Sequence, residues 1–137
     1  VVTYAKCCCA LPGDPVGGYL SPEKGLVVHR EDCRNLLEMR EHPERMMNLR
    51  WDEEAEGLYS VGLRLESENR RGIIAVVATR LSTVGMNIDR ISTTDKDAQY
   101  TYVDIELQVR SRIHLARIMK RLRTVEGVRR VIRISRR

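Results

Sequence analysis

Residues 59–85 read YSVGLRLESENRRGIIAVVATRLSTVG, and within them the apolar period changes from two to about 3.6. Tyr59, Val61, Leu63 and Leu65 alternate with polar neighbours, which places them on one face of a strand. After Gly72, Ile73, Val76, Val77, Leu81 and Val84 recur at helical spacing until Gly85 stops the run, predicting a helix that buries them. Working outward, MNIDRIST (residues 86–93) reads as a strand, and YTYVDIELQV (residues 100–109) alternates with Val103, Ile105, Leu107 and Val109 facing one way. SRIHLARIMKRLRTVEG (residues 111–127) begins at an N-cap candidate, Ser111, and is expected to bury Ile113, Ile118, Met119 and Leu122. Arg117, Lys120, Arg121 and Arg123 then fall on its solvent side. VRRVIRIS (residues 128–135) closes as a strand with Val128, Ile132 and Ile134 toward the core. The order β-α-β-β-α-β over about 75 residues is the ferredoxin-like split βαβ arrangement, with two helices on one sheet face and the other face open.

Upstream the pattern is weaker. VGGYL (residues 16–20) and GLVVH (residues 25–29) flank SPEK, where Pro22 suits a tight turn and Gly25 leaves it, so a hairpin is expected. REDCRNLLEMREH (residues 30–42) predicts a helix of about three turns starting near Glu31 or Asp32 and ended by Pro43. RMMNLRW (residues 45–51) reads as a third short strand. The acidic WDEEAEG (residues 51–57) interrupts both patterns, which divides the chain into a small cysteine-bearing α/β domain at 1–52 and a ferredoxin-like domain at 58–137, an α+β protein overall. About 50 residues bury little core, and domains that small usually need a metal or disulfide staple.

Composition narrows the function classes. No stretch approaches the roughly 20 apolar residues of a membrane-spanning helix, and no secretory leader pattern opens the chain. The first residue is Val rather than Met, which suggests a piece of a longer protein. The net charge of +5 is uneven: from Arg110 to Arg137 eleven Lys and Arg face one acid, Glu126, a block able to attract a polyanion or simply to solvate a helix face. With no Phe and one Trp, a base-stacking platform has few rings. Tyr100 and Tyr102 share the open sheet face with Asp104, Glu106 and Gln108, whose acids repel phosphate, so nucleic acid is expected instead on Arg117, Lys120 and Arg121, on the C-terminal tail or on the cysteine domain. His114 reads as a flanking surface residue. No paired carboxylates, nucleophile–base set or phosphate loop appears, which argues against a stand-alone enzyme.

Cys7, Cys8 and Cys9 are consecutive, and His29 and Cys33 stand four apart in VVHREDC. Adjacent cysteines bridge one another poorly, while thiolate sulfur and imidazole nitrogen are the ligands zinc takes in fours. An extended chain puts Cys7 and Cys9 on one face, so strand geometry selects Cys7, Cys9, His29 and Cys33. Metal-free buried thiols are the alternative. At ENRRGII the first strand feeds its helix, whose first turn leaves N–H groups free for a carboxylate, with Asn69, Arg70 and Arg71 alongside.

The succession KCC, PGDP, GLVVHREDCRNL, NRRGI and NI resembles the C-terminal regulatory region of the long RelA/SpoT enzymes, which make and hydrolyse (p)ppGpp, and covers nearly the whole chain. The bifunctional SpoT/Rel type is the nearer one. The resemblance implies a zinc-finger-like conserved-cysteine domain followed by an ACT domain, and a non-catalytic module of a GTP/GDP pyrophosphokinase and (p)ppGpp 3'-pyrophosphohydrolase in the stringent response. It implies zinc on Cys7, Cys8, His29 and Cys33, and so disagrees with strand geometry about the second cysteine. It also implies a branched-chain amino acid at Asn69, Arg70, Arg71, Gly72, Ile73, Asn87 and Ile88, typically between two ACT copies, hence a homo-oligomer. The ribosome and its rRNA, the other domains of the parent enzyme, and a cytoplasmic setting in which disulfides rarely persist complete what it implies.

Overall fold

The computed structural model describes residues 2–52 and 57–134. The acidic centre of the junction, residues 53–56, and the arginines that end the basic block, Arg136 and Arg137, lie outside the described residues.

The C-terminal unit runs β5 (Tyr59–Glu68), α2 (Ile73–Thr83), β6 (Ile88–Asp95), β7 (Tyr100–Val109), α3 (Arg112–Arg123) and β8 (Val128–Ile134), after four strands and a helix described below. Its sheet has the order β6-β7-β5-β8 with every pair antiparallel, the ferredoxin-like arrangement that the periodicity predicts. Leu63, Leu65, Ile105 and Leu107 are fully buried under the two helices. Each such side chain contributes on the order of 1.5–3 kcal/mol over its exposed state. Ser111 caps α3 as expected, its Oγ accepting the His114 N–H at 3.1 Å.

Three expected core faces hold only in part. In α2 Ile73, Val77 and Leu81 are buried, whereas Val76 is exposed and Val84 half-buried. One stripe along α2 meets the sheet, and the residue beside it faces out. In α3 the buried residues are Leu115, Ile118 and Leu122, with Met119 half-buried and Ile113 67% exposed. In β8 Val131 lies opposite Leu65 and Arg133 opposite Leu63, so these two share the core-facing side. Ile132 and Ile134, opposite Arg64 and Gly62, turn to the open face instead, and Val128 is only half-buried. A register shift between Glu66 and Ser67 accompanies the change, and a one-residue slip exchanges the two faces of a strand.

The N-terminal unit comprises β1 (Val2–Tyr4), β2 (Val16–Ser21), β3 (Gly25–Arg30), α1 (Arg34–Glu38) and β4 (Met46–Asn48), with strand order β1-β3-β2-β4. The hairpin β2–β3 and the strand β4 fall where they are expected. Gly25 takes φ +73 at the turn exit, a conformation few other residues adopt. β1, pairing parallel with β3, has no counterpart in the sequence reading. Helix α1 has only five α-helical residues before a 3₁₀ turn at Met39–Glu41. It starts at Cys33 without a side-chain cap and carries no acid in its first turn, so nothing extends it to three turns.

The two units pack together. Leu11, from the N-terminal unit, is fully buried inside the C-terminal core. Tyr4 stacks on Trp51 at 5.8 Å, and both rings meet Tyr59 edge-on at 5.6 Å. Among the described residues no helix is long and apolar enough to cross a membrane.

Candidate functional site

β1 delivers the cysteine loop to the end of β3. Tyr4 pairs with Val28, and the Ala5 N–H donates to the Val28 carbonyl at 2.9 Å, which sets the following residues beside His29. The chain then turns: the Cys9 N–H donates back to the Ala5 carbonyl at 3.3 Å, and Cys9 takes φ +48. This turn removes the strand alternation on which a Cys7–Cys9 pair depends. Cys33 returns to the same place because its N–H closes a turn onto the Arg30 carbonyl at 3.0 Å.

The ligating atoms of Cys7, Cys8, His29 and Cys33 all lie within 4.8 Å of one another. Cys7 Sγ stands 3.5 Å from His29 Nδ1 and 3.6 Å from Cys33 Sγ, and Cys8 Sγ is 3.9 Å from the same Nδ1. Four ligands around zinc, with sulfur at about 2.3 Å and nitrogen at about 2.0 Å, stand about 3.5–3.8 Å apart. The donor set therefore fits a tetrahedral zinc ion. Cys8 and His29 are buried, the other two half-buried. Cys9 is outside the group, its Sγ meeting the Lys6 carbonyl at 3.5 Å. Burial pushes the Cys8 thiol up to about 12, with the Arg30 N–H opposing and Cys33 and Cys7 adding to the rise. A metal taking this sulfur must displace a proton. Burial also lowers the His29 imidazole, favouring the neutral form that binds metals.

At the strand–helix junction Gly72 has φ +78 and the first turn of α2 carries no side-chain cap, although the Ile73 N–H already donates to the Arg70 carbonyl at 3.3 Å. Arg70 is engaged by Glu68 at 2.9 Å and Glu126 at 3.4 Å, and the Asn69 N–H donates to the Gln99 carbonyl. Arg71 and Asn87 are exposed, Ile88 is half-buried, and Ile73 points into the core. Of the expected junction residues, Arg71 is thus the cation with no ionic partner among the described residues. Arg117, Lys120 and Arg121 are exposed on α3, as expected. His114 is a flanking residue: its Nδ1 accepts the Arg110 N–H at 2.9 Å.

The open sheet face is more mixed than its acids suggest. Arg64 lies 4.6 Å over the Tyr102 ring and pairs with Asp104 at 2.7 Å, while Arg129 lies 4.7 Å over Tyr100. Lys96 pairs with Glu66 and sits near both rings. Cations already cover these aromatic faces, so bases are displaced from them as much by stacking as by charge.

Sequence reasoning missed Asp14 and Arg133. Their carboxylate and guanidinium meet at 2.8 and 3.0 Å, with side chains 2% and 14% exposed. Burial pushes the Asp14 carboxyl up, but hydrogen bonds from Arg133 and the Leu11 N–H, with the charges of Arg133 and Arg30, outweigh it and hold the group below the usual range. Arg133 also donates to the Cys9 carbonyl at 2.6 Å. The available signal was one arginine inside the apolar run VIRI.

Comparison with known proteins places these features. The RelA/SpoT RIS domain model matches residues 1–52, and an ACT domain model matches residues 55–133. The bifunctional (p)ppGpp synthase/hydrolase SpoT of Escherichia coli K12 is 37% identical over 133 residues, covering 97% of this chain and 19% of that protein. A GTP pyrophosphokinase of the same strain is 31% identical over 126 residues, covering 90% and 17%. The solution structure of the ACT domain from the GTP pyrophosphokinase of Chlorobium tepidum superposes with a TM-score of 0.51 at 26% identity, covering 58% of this chain and 90% of that one. The chain thus spans about a fifth of the length of these curated relatives. Carrying a RIS domain and an ACT domain in this order, the chain belongs to the RelA/SpoT family and corresponds to the C-terminal regulatory region of its long enzymes.

Proposed function

We propose that this chain is the regulatory module of a bifunctional (p)ppGpp synthetase/hydrolase of the stringent response, working in the cytoplasm to bias catalytic domains elsewhere in its parent. The observation that carries this reading is a complete zinc donor set, Cys7, Cys8, His29 and Cys33, in a RIS domain packed against an ACT domain. Zinc there pins a unit whose own buried apolar residues, among those described, are few: Ala5, Ala10, Val28 and Leu36 besides Cys8. The ACT unit takes a branched-chain amino acid at the junction around Gly72, its carboxylate on the uncapped first turn of α2 beside Arg71, with Asn87 and Ile88 completing the site across a second copy. Each input acts by population shift, binding one state of the parent better than the other.

Effector titration of the full parent enzyme tests this, comparing wild type with Gly72→Leu and Cys33→Ala. A blunted amino-acid response confined to Gly72→Leu supports the junction site. Valine, isoleucine and leucine giving no calorimetric heat at millimolar concentration would sink it.

A second reading is an rRNA-docking module with no small-molecule role. The exposed Arg117, Lys120 and Arg121 on α3 favour it. Its signature is RNA affinity that falls steeply with salt and weakens when these three are neutralised, together with ribosome-dependent regulation lost in Cys33→Ala alone.

A further inference from the structure

The segment joining the zinc donors to the rest of the N-terminal unit is held by the ACT unit at successive points. Cys8 Sγ accepts the Arg30 N–H at 3.3 Å within the donor cluster. One residue on, the Cys9 carbonyl accepts Arg133 Nη2 at 2.6 Å. Leu11 is fully buried among Leu63, Leu115 and their neighbours. The Pro12 carbonyl accepts the Arg112 N–H at 2.8 Å, at the first residue of α3. Asp14 receives both terminal nitrogens of Arg133 and, from its own loop, the Leu11 N–H at 2.7 Å. Its carbonyl accepts Trp51 Nε1–H at 2.9 Å.

Cys9 shows how tightly the two ends are tied. It is the one non-glycine residue with positive φ among those described. Such a conformation persists where its surroundings over-determine it, and here the surroundings are the donor at Cys8 and the Arg133 hydrogen bond. The same loop conformation serves both contacts.

We propose that metal binding by Cys7, Cys8, His29 and Cys33 is thermodynamically coupled to docking of the RIS unit on the ACT unit through the Cys9–Asp14 loop and Arg133. Zinc locks the seam, and loss of zinc loosens it, which gives the ACT unit a mechanical input from the metal state of its neighbour. The proposal rests on the zinc reading above and adds its consequence. Coupling of this kind is reciprocal: whatever factor zinc adds to docking, docking adds to zinc affinity.

The test measures zinc affinity of the full 137-residue chain by competition with a chromophoric chelator. Wild type is compared with the single variant Asp14→Asn and the double variant Asp14→Asn/Arg133→Met. The double variant removes the bridge without leaving a buried charge unpaired, and circular dichroism verifies its fold. Zinc affinity is expected to fall about tenfold in the double variant and less in Asp14→Asn, within the span usual for coupled sites. Trp51 is the only tryptophan and lies at the seam between Tyr4 and Tyr59, so chelation should shift its emission in wild type and shift it less in the double variant. A folded double variant that keeps zinc affinity within twofold of wild type overturns the coupling and leaves the zinc reading standing. A wild-type chain that takes up no zinc overturns both.

Discussion

Leu11→Ala is expected to destabilise the ACT unit although Leu11 lies in the other unit, about 50 residues before β5 begins. The side chain is 0% exposed and belongs to the same cluster as Leu63, Leu65, Ile105 and Leu107. Truncating a buried leucine costs about 2–5 kcal/mol, the larger values arising where the cavity cannot collapse. Here collapse is limited, because the loop is fixed on either side of Leu11 by the Arg133 bond to Cys9 and the Arg112 bond to Pro12. About 3 kcal/mol is therefore expected. The ceiling is physical as well: a loop that costs more than its docking energy to keep in place would leave the core. Urea unfolding followed by Trp51 fluorescence and by far-ultraviolet circular dichroism measures the effect. At a slope of about 2 kcal/mol per molar, the midpoint should drop by roughly 1.5 M in both signals. Leu65→Ala serves as the reference within the sheet. If Leu11→Ala moves the midpoint by less than about 0.3 M while Leu65→Ala moves it by more than about 1 M, Leu11 is not part of the working core and the reasoning fails.

Cys8→Ser should abolish stoichiometric zinc retention whereas Cys9→Ser should keep it, as read by metal analysis of protein purified without chelator; the reverse outcome would restore the strand-geometry set. The Asp14 carboxyl is held below its ordinary value in the folded state, so its contribution to stability is complete above the ordinary value and is lost as pH falls through the folded one. The urea midpoints of wild type and Asp14→Asn should accordingly differ at pH 7 and converge only as the pH falls through the lowered folded value, and a gap that persists in strong acid would contradict the ion pair. Gly72→Ala should cost about 1–2 kcal/mol in the same assay, because φ +78 disfavours a side chain while nothing lies within 4 Å of an added Cβ. A neutral result there would mean the junction relaxes freely.

The ferredoxin-like order was legible along the chain because strand and helix periodicities are local properties, and YSVGLRLE, YTYVDIELQV and the helical runs carry them plainly. The His29–Cys33 half of the donor set was legible for the same reason, as a spacing within one short segment. The choice between Cys8 and Cys9 was not, since it depends on a turn that the parallel β1–β3 pairing imposes from outside the cysteine run. A three-residue strand such as β1 has too little pattern to be read without its partner. Strand β8 shows the limit most clearly. Counting isoleucines puts Ile132 and Ile134 inward, but the register with β5 puts Val131 and Arg133 there. An inward arginine is tolerable only because Asp14, 119 positions earlier, neutralises it out of reach of water. The amino-acid sequence by itself therefore determined most of the elements, though not β1 or the length of α1, and most of the residues able to bind a metal. Only the tertiary structure decided which faces look inward and that one loop serves both the metal cluster and the ACT core, because those outcomes depend on contacts between residues far apart in the chain.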